Sequence, residues 1–383
     1  MKYFFILGRN PRLSIAEIFS YFEKEKLIIK SYFSRYNMLL IESDNKINTQ
    51  KIIDKLGGSI AVGRVLFSGD INSIKDMIAK ENIYFENENK FNYSLISFEN
   101  EDSSDSILSA IRDNFKRERL KAQYKGVREA IKMQSDSGEG YLIAPKDINY
   151  FLIKEKEYNF GVVDGTYNPQ ESERRDMGKP ARRESLAISP RLAKILINLA
   201  QVREEETLLD PFCGIGVILQ EALLQDINVV GVDIDKGAII NTKKNLGWLN
   251  KNYKIRAKSE IINQDSKRVK LGGVDGIATE PSLGNLLKKV PDEQRAYFML
   301  AKFENLIISV LNNLKKYIKN NGKIAFSAPL IKLDKWKRRS CNIDRICMNT
   351  GLRLYRTDKL KFPIEEFREK QVLGREFYVL TKV

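Results

Sequence analysis

LLDPFCGIGVILQEAL, residues 208–223, decides how this chain is read. Two leucines run into Asp210, two glycines follow at Gly214 and Gly216, and from Val217 the apolar residues recur at helical spacing. A strand therefore stops at a carboxylate, turns on glycine and enters an amphipathic helix. Glycines at such a turn let a ligand approach the backbone and leave the first helical N–H groups free. Position 219 is Leu, so the third glycine of the dinucleotide fingerprint is missing and NAD is disfavoured. Nineteen residues after Gly214, the strand INVVGVDID ends in Asp233, placed to accept both hydrogens of a ribose diol. A third strand ends in IINQDS and sets Asp265 on the same carboxyl edge, where open α/β sheets bind ligands.

Each residue alone has a plain structural use, the glycines as turn residues and the aspartates as helix caps. Acidic side chains at successive strand ends around a glycine turn suit a neutral-to-cationic adenosine ligand, such as S-adenosylmethionine, better than a nucleotide phosphate. Outward from the motif, strands and helices alternate as in a parallel, doubly wound sheet. Strands are expected at Thr207–Leu209, Val229–Val232, VDGIAT, KIAFSAP, Leu352–Leu360 and Glu376–Val383. The expected helices are Val217–Leu224, Lys236–Leu249, Asp292–Ile318 and a basic one at Lys332–Cys347. Upstream, residues 166–189 are polar and proline-punctuated, as in a linker.

Before it, residues 1–69 read βαββαβ, a ferredoxin-like order that names no function. Residues 70–165 read as a second small α+β module, with a long helix near Asp105–Ala122 and a strand at VREAIKM. The segment from Arg112 to Lys132 holds eight basic residues against three acidic ones. Such a run is either a solvated helix face or a face that contacts phosphates through Arg112, Lys116, Arg117, Arg119, Lys121, Lys125 and Arg128. A net charge of +15 over 383 residues favours a polyanionic partner. Histidine is absent, which removes Ser-His-Asp triads, His-Cys pairs and histidine-ligated zinc. Three cysteines without CxxC spacing make neither a disulfide framework nor a metal site, so no metal is expected. No membrane span or signal-peptide core is legible, and the expected location is the cytoplasm.

RDMGKPARRESLAISPRLAKILINLA (175–200), followed by LLDPFCGIG, GVDID and NQDS, resembles the THUMP-containing RNA methyltransferases. It is most similar to the class that methylates the exocyclic N2 of guanine at position ten of tRNA, with its UPF0020-type catalytic domain. LGRNPRLSIAEI (7–18) is similar, more weakly, to that class's N-terminal ferredoxin-like domain. The resemblance implies a ferredoxin-like domain at 1–69, a THUMP-like RNA-binding domain at 70–165, a linker at 166–189 and a Rossmann-like class I methyltransferase domain at 190–383. It implies S-adenosylmethionine as cofactor and tRNA, gripped at its acceptor end and core, as partner. The enzyme would be a monomer or weak homodimer, with a small activator subunit as a candidate partner. Among cofactor-binding residues Asp210, Pro211, Cys213, Gly214, Gly216, Asp233 and Asp265, the methionine end would meet Asp210, Gly214 and Gly216. Asp233 would hold the ribose and Asp265 the adenine amine.

Where that family usually carries Asp-Pro-Pro-Tyr, this chain reads Glu280-Pro281-Ser282-Leu283. An aryl amine is a poor nucleophile, and an acceptor carboxylate plus a backbone carbonyl orient it toward a methyl donor. Glu280 and Pro281 are therefore the candidate catalytic residues. Glu280 keeps the carboxylate but adds a methylene, and Leu283 lacks an aromatic face for stacking a flipped base. Two alternatives stand beside the tRNA guanine-N2 methyltransferase: a cofactor-fold RNA-binding protein with impaired catalysis, and a DNA amino-methyltransferase.

Overall fold

The computed structural model describes residues 1–129, 143, 147–182, 188–283, 287 and 289–382. The chain divides into two compact units, Met1–Pro11, Leu27–Asp54 and Ser59–Tyr167 in the first, and Arg12–Lys26, Lys55–Gly58 and Asn168–Val383 in the second.

The N-terminal elements are β1 (Lys2–Leu7), α1 (Pro11–Lys24), β2 (Ile29–Arg35), β3 (Met38–Ser43), α2 (Thr49–Lys55) and β4 (Ser59–Gly69), the expected βαββαβ order. There follow α3 (Ile71–Lys80), β5 (Lys90–Ser97), α4 (Glu101–Arg117), β6 (Lys121–Glu129), β7 (Ile148–Lys154) and β8 (Tyr158–Thr166). Read as two separate modules, these strands instead make one eight-stranded sheet, β2-β3-β1-β4-β8-β7-β5-β6. The join is β4, whose eleven residues are long enough to pair with β1 along one edge and β8 along the other. Under β5–β8 the helices α3 and α4 bury Ile74, Ile78, Ile107, Ile111 and Phe115 against Tyr93, Tyr150 and Phe160. Helix α1, by contrast, is grouped with the second unit. There its buried Glu17 accepts Gly57 N–H and Gly58 N–H, both at 2.7 Å, and the Asn198 amide at 2.8 Å.

Two expectations in the first unit are corrected. Helix α4 stops at Arg117 rather than near Ala122, because Arg119 takes a left-handed backbone (φ 57°) and Leu120 N–H closes back on the Phe115 carbonyl at 2.9 Å. No glycine announces that stop. The strand expected at Val127–Met133 starts earlier, at Lys121, so the basic segment is a helix end followed by a strand. Part of that expectation, residues 130–133, lies outside the described residues, as do the side chain of Arg128 and all of Lys132.

The second unit continues with α5 (Pro169–Met177), α6 (Pro190–Leu199), β9 (Thr207–Asp210), α7 (Val217–Leu223), β10 (Asn228–Asp233), α8 (Lys236–Asn252), β11 (Ser259–Asn263) and β12 (Gly276–Thr279). It closes with α9 (Glu293–Leu314), β13 (Lys323–Lys332), β14 (Arg338–Arg339), α10 (Ile343–Thr350), β15 (Leu352–Leu354), β16 (Ile364–Glu366) and β17 (Leu373–Lys382). The sheet order is β11-β10-β9-β12-β13-β17-β15. It is parallel from β11 to β13, and β17 runs antiparallel to both neighbours. Order reverses at β9, so the glycine turn after β9 sits at the topological switch point. On α9, Ala296, Leu300, Phe303, Ile307, Val310 and Leu314 recur at three- and four-residue intervals and bury against Ile277, Ile324 and Phe326.

Three expectations change here. The stretch read as a linker carries α5 and is pinned to this unit: Arg175 pairs with buried Glu221 at 2.8 Å, and Asn245 bonds both Ala181 N and Ala181 O. The basic segment Lys332–Cys347 is not one helix. The Asp334 carboxylate accepts Trp336 N–H and Lys337 N–H, which makes a turn, and the helix begins only after the Asn342 cap. The strand Leu352–Leu360 ends at Leu354, and β16 is an added short strand beside β17.

Candidate active site

All four acidic residues singled out in sequence stand along the carboxyl edge of β9, β10, β11 and β12 and line one cavity of about 690 Å³. Asp210, Pro211, Cys213, Gly214, Asp233, Asp265, Glu280 and Pro281 share that lining with apolar Ile188, Phe212, Ile215, Ile234 and Leu283. Gly216 stands just behind it. Both glycines occupy left-handed backbone, at φ 54° for Gly214 and 83° for Gly216, and a side chain on Gly216 would meet Thr242 Cγ2 at 3.0 Å. Thr242 Oγ1 donates to the Gly214 carbonyl at 2.7 Å and the Asn245 amide donates to the Ile215 carbonyl at 2.9 Å, so α8 holds the turn from behind.

Asp210 closes β9 and is buried. One of its oxygens accepts Thr279 Oγ1–H at 2.6 Å and Phe212 N–H at 3.1 Å. Burial nonetheless dominates and pushes its pKa up to about 7, against those two bonds and with help from Asp233 and Glu280. Asp233, at the tip of β10, accepts Gly214 N–H and Asp235 N–H, one on each oxygen at 2.9 Å, and is half-buried. Each carboxylate oxygen keeps a second lone pair toward the cavity. Asp265 accepts Lys267 N–H at 3.0 Å and is half-buried. Cys213 is buried beneath the turn, and burial raises its thiol pKa, which leaves it a packing residue rather than a nucleophile.

Glu280 carries a partner that sequence reasoning missed. Arg375 Nε and Nη2 donate to its two oxygens at 2.7 and 3.0 Å, and Ser327 Oγ donates at 3.0 Å. The Glu280 side chain is 6% exposed and that of Arg375 20%, so the fork is largely desolvated. Arg375 lies 95 residues downstream, on β17, one position before the strand start read from sequence. The only signal for it was a lone cation within an apolar strand, GREFYVL. Leu283 is 6% exposed and packs into the core with α9, so its side chain is a wall of the cavity.

The basic candidates of the first unit do not act alike. Lys116 pairs with Asp113 at 3.7 Å, Arg117 forks onto Glu118 at 2.8 and 3.0 Å, and Arg112 lies over the Tyr124 ring at 5.5 Å. Arg119, Lys121 and Lys125 are exposed, and no side-chain partner engages them among the described residues.

Residues 174–325 match the UPF0020 family, described as RMKL-like, methyltransferase domain. The chain is 33% identical over 144 residues to the tRNA (guanine(10)-N2)-dimethyltransferase of Methanothermobacter thermautotrophicus, an alignment that covers 37% of this chain and 39% of that one. It is 30% identical over 142 residues to a protein named "Probable tRNA (guanine(10)-N2)-dimethyltransferase" from Methanothermococcus thermolithotrophicus, covering 36% of this chain and 79% of the relative. The chain thus spans well under half the length of the first of these relatives. The solved structure of TrmN from Thermus thermophilus superposes with a TM-score of 0.52 at 15% identity over 100% of both chains, a likeness of fold.

Proposed function

Since this chain belongs to the RMKL-like methyltransferase family, we propose that it transfers a methyl group from S-adenosylmethionine to the exocyclic N2 of a guanine in tRNA. The observation that carries this reading is the ring of carboxylates, Asp210, Asp233, Asp265 and Glu280, around one cavity at the switch point. A volume of about 690 Å³ is ordinary for a cofactor-sized ligand. Its acidic edge repels phosphate and fits a sulfonium and an ammonium group, so the residues present suit S-adenosylmethionine. Asp210 and the Gly214 turn would hold the methionine end, Asp233 the ribose hydroxyls and Asp265 the adenine amine. When bound, the cofactor supplies an electrophilic methyl carbon.

What remains is to aim a weakly nucleophilic amine, which falls to Glu280. The Arg375 fork and Ser327 fix both oxygens and use three of their roughly four lone pairs, and the one left, on Oε1, would accept an amine hydrogen. That fork also answers the extra methylene of Glu relative to Asp: the longer side chain is held in one place. The N-terminal sheet is proposed as the RNA-gripping part, its 70–165 portion in the manner of a THUMP domain, and the site of action as the cytoplasm. No helix among the described residues is long and apolar enough to cross a membrane.

Incubation of purified protein with labelled S-adenosylmethionine and unmodified tRNA, followed by nucleoside analysis, tests the reading. Label in N2-methylguanosine is expected. Label in adenosine or in duplex DNA, or none at all, refutes it.

A further inference from the structure

We propose that a basic, aromatic surface on the methyltransferase unit itself docks unpaired RNA beside the cavity, resting on the tRNA reading above. Three segments form it, at the N-terminal end of α9, the hairpin turn between β13 and β14, and the loop before β17. All three emerge at the carboxyl edge that carries Glu280. Helix α9 follows β12, the hairpin extends β13 past its pairing with β12, and β17 begins opposite Ile331 at the far end of β13.

This surface exposes four large aromatic residues: Trp336 at 86%, Phe298 at 61%, Tyr297 at 56% and Phe367 at 40%. Scattered exposed aromatics need no explanation, but these belong to one connected patch. Arg339 lies over the Tyr297 ring at 5.8 Å, the Tyr297 and Phe298 rings meet edge-on at 6.1 Å, and Lys337 reaches Glu293 at 2.5 Å. Lys335 sits over Trp336 at 4.7 Å and Arg338 over Phe367 at 3.9 Å. A shallow cavity of about 400 Å³ opens along α9, lined by Arg295, Phe298, Met299 and Lys302 with the helix-capping Asp292.

Charge selects the occupant. The hairpin tip reads DKWKRR, four cations against Asp334, whose carboxylate is turned to Trp336 N–H and Lys337 N–H. With Lys337 paired to Glu293, the tip keeps a cationic excess in Lys335, Arg338 and Arg339, interleaved with ring faces. An apolar protein partner would need no such run of cations, whereas single-stranded nucleic acid supplies phosphates for them and base faces for the rings. A duplex hides its base faces, so the fitting ligand is an unpaired stretch of RNA, such as the strand flanking a flipped-out target.

The experiment compares full-length wild-type protein with Trp336→Ala/Phe298→Ala and with Lys335→Ala/Arg339→Ala. Kd is measured for unmodified tRNA, an oligouridine and anionic phosphatidylserine vesicles, with calorimetric S-adenosylmethionine binding as the check on folding. The aromatic pair should weaken RNA binding by about tenfold or more, and the basic pair should flatten the log–log salt slope by about 0.7–0.9 for each phosphate it no longer engages. S-adenosylmethionine affinity should stay within about twofold of wild type. RNA affinity unchanged in both variants overturns the proposal, as does a weakening confined to vesicle binding. Failure of the wild-type protein to methylate any tRNA refutes the tRNA reading instead, because the binding comparison needs no turnover.

Discussion

Arg375 on β17 holds Glu280 at the end of β12 in a two-point fork, at 2.7 and 3.0 Å, inside the cavity wall. A buried pair of this kind contributes little net stability, because desolvating both charges offsets most of their attraction, but breaking it by removing one partner is costly. Its value here is geometric: a glutamate that would otherwise sample several rotamers is held in one, with both oxygens placed.

Glu280→Gln should therefore lower kcat by about a hundredfold or more, the scale of a misplaced or uncharged acceptor, while S-adenosylmethionine affinity stays near wild type. Arg375→Gln leaves an unpaired buried carboxylate and should cost about 3–5 kcal/mol in urea unfolding. The double variant Glu280→Gln/Arg375→Gln should recover most of that stability but none of the turnover. Wild-type kcat in Glu280→Gln would remove the residue from the chemistry.

Asp233→Ala should weaken S-adenosylmethionine binding by about 1.5–3 kcal/mol, the worth of a hydrogen bond to a charged group. The side chain also ties Gly214 N–H and Asp235 N–H, one on each oxygen, so Asp233→Asn keeps an acceptor for only one of them. Urea unfolding of both variants measures the loss to the turn, and the change in affinity beyond it is the ribose contribution. Isothermal titration showing equal affinity in all three proteins would dismiss Asp233 from the ribose site.

The acidic edge was legible in the sequence because each acidic residue ends or closely follows a short strand, and a short apolar run followed by glycine or a cap is a local signal. Asp210, Asp233 and Asp265 needed nothing from afar to be located. Arg375 and Ser327 were invisible for the opposite reason, since their roles exist only after β13 and β17 pair across the sheet. The end of α4 was missed because Arg119 adopts the left-handed conformation without being glycine. Residues 166–189 looked like a linker because α5 is polar almost all round, and only tertiary bonds such as Arg175–Glu221 hold it.

Asp210 should make both stability and S-adenosylmethionine binding depend on pH, in opposite senses. Its folded pKa of about 7 lies above the unfolded value of about 3.9, so the folded state retains a proton that the unfolded chain has lost. This group's contribution falls as pH rises from about 4 to 7, by on the order of 2–4 kcal/mol. Asp210→Asn keeps an acceptor for Thr279 and Phe212 and should flatten the decline seen in urea midpoints between pH 5 and 8. A cationic ligand favours the ionised form, so S-adenosylmethionine should bind more tightly with rising pH and release part of a proton near pH 7. Calorimetry in buffers of differing ionisation enthalpy measures that release, and a value of zero would place the cationic groups away from Asp210.

The basic segment of the first unit divides into two classes, and tRNA binding should tell them apart. Lys116 and Arg117 already face Asp113 and Glu118, so an arriving phosphate must compete with an existing partner for each. Arg119, Lys121 and Lys125 have no such competitor among the described residues; Arg119 stands at the left-handed turn after α4, and Lys121 and Lys125 share one face of β6 at even spacing. Each bound phosphate releases condensed counterions, so removing its cation flattens the dependence of log K on log salt by about 0.7–0.9. The triple variant Arg119→Ala/Lys121→Ala/Lys125→Ala should reduce that slope by about 2 or more and weaken binding at low salt. Lys116→Ala/Arg117→Ala should change it by less than about 1, because removing them also frees two carboxylates that were already neutralised. All five positions are exposed, so folding should survive, which far-ultraviolet circular dichroism can verify. Equal slopes in both variants and the wild type would reduce the segment to a solvated surface and move the search for phosphate-binding cations elsewhere on the protein.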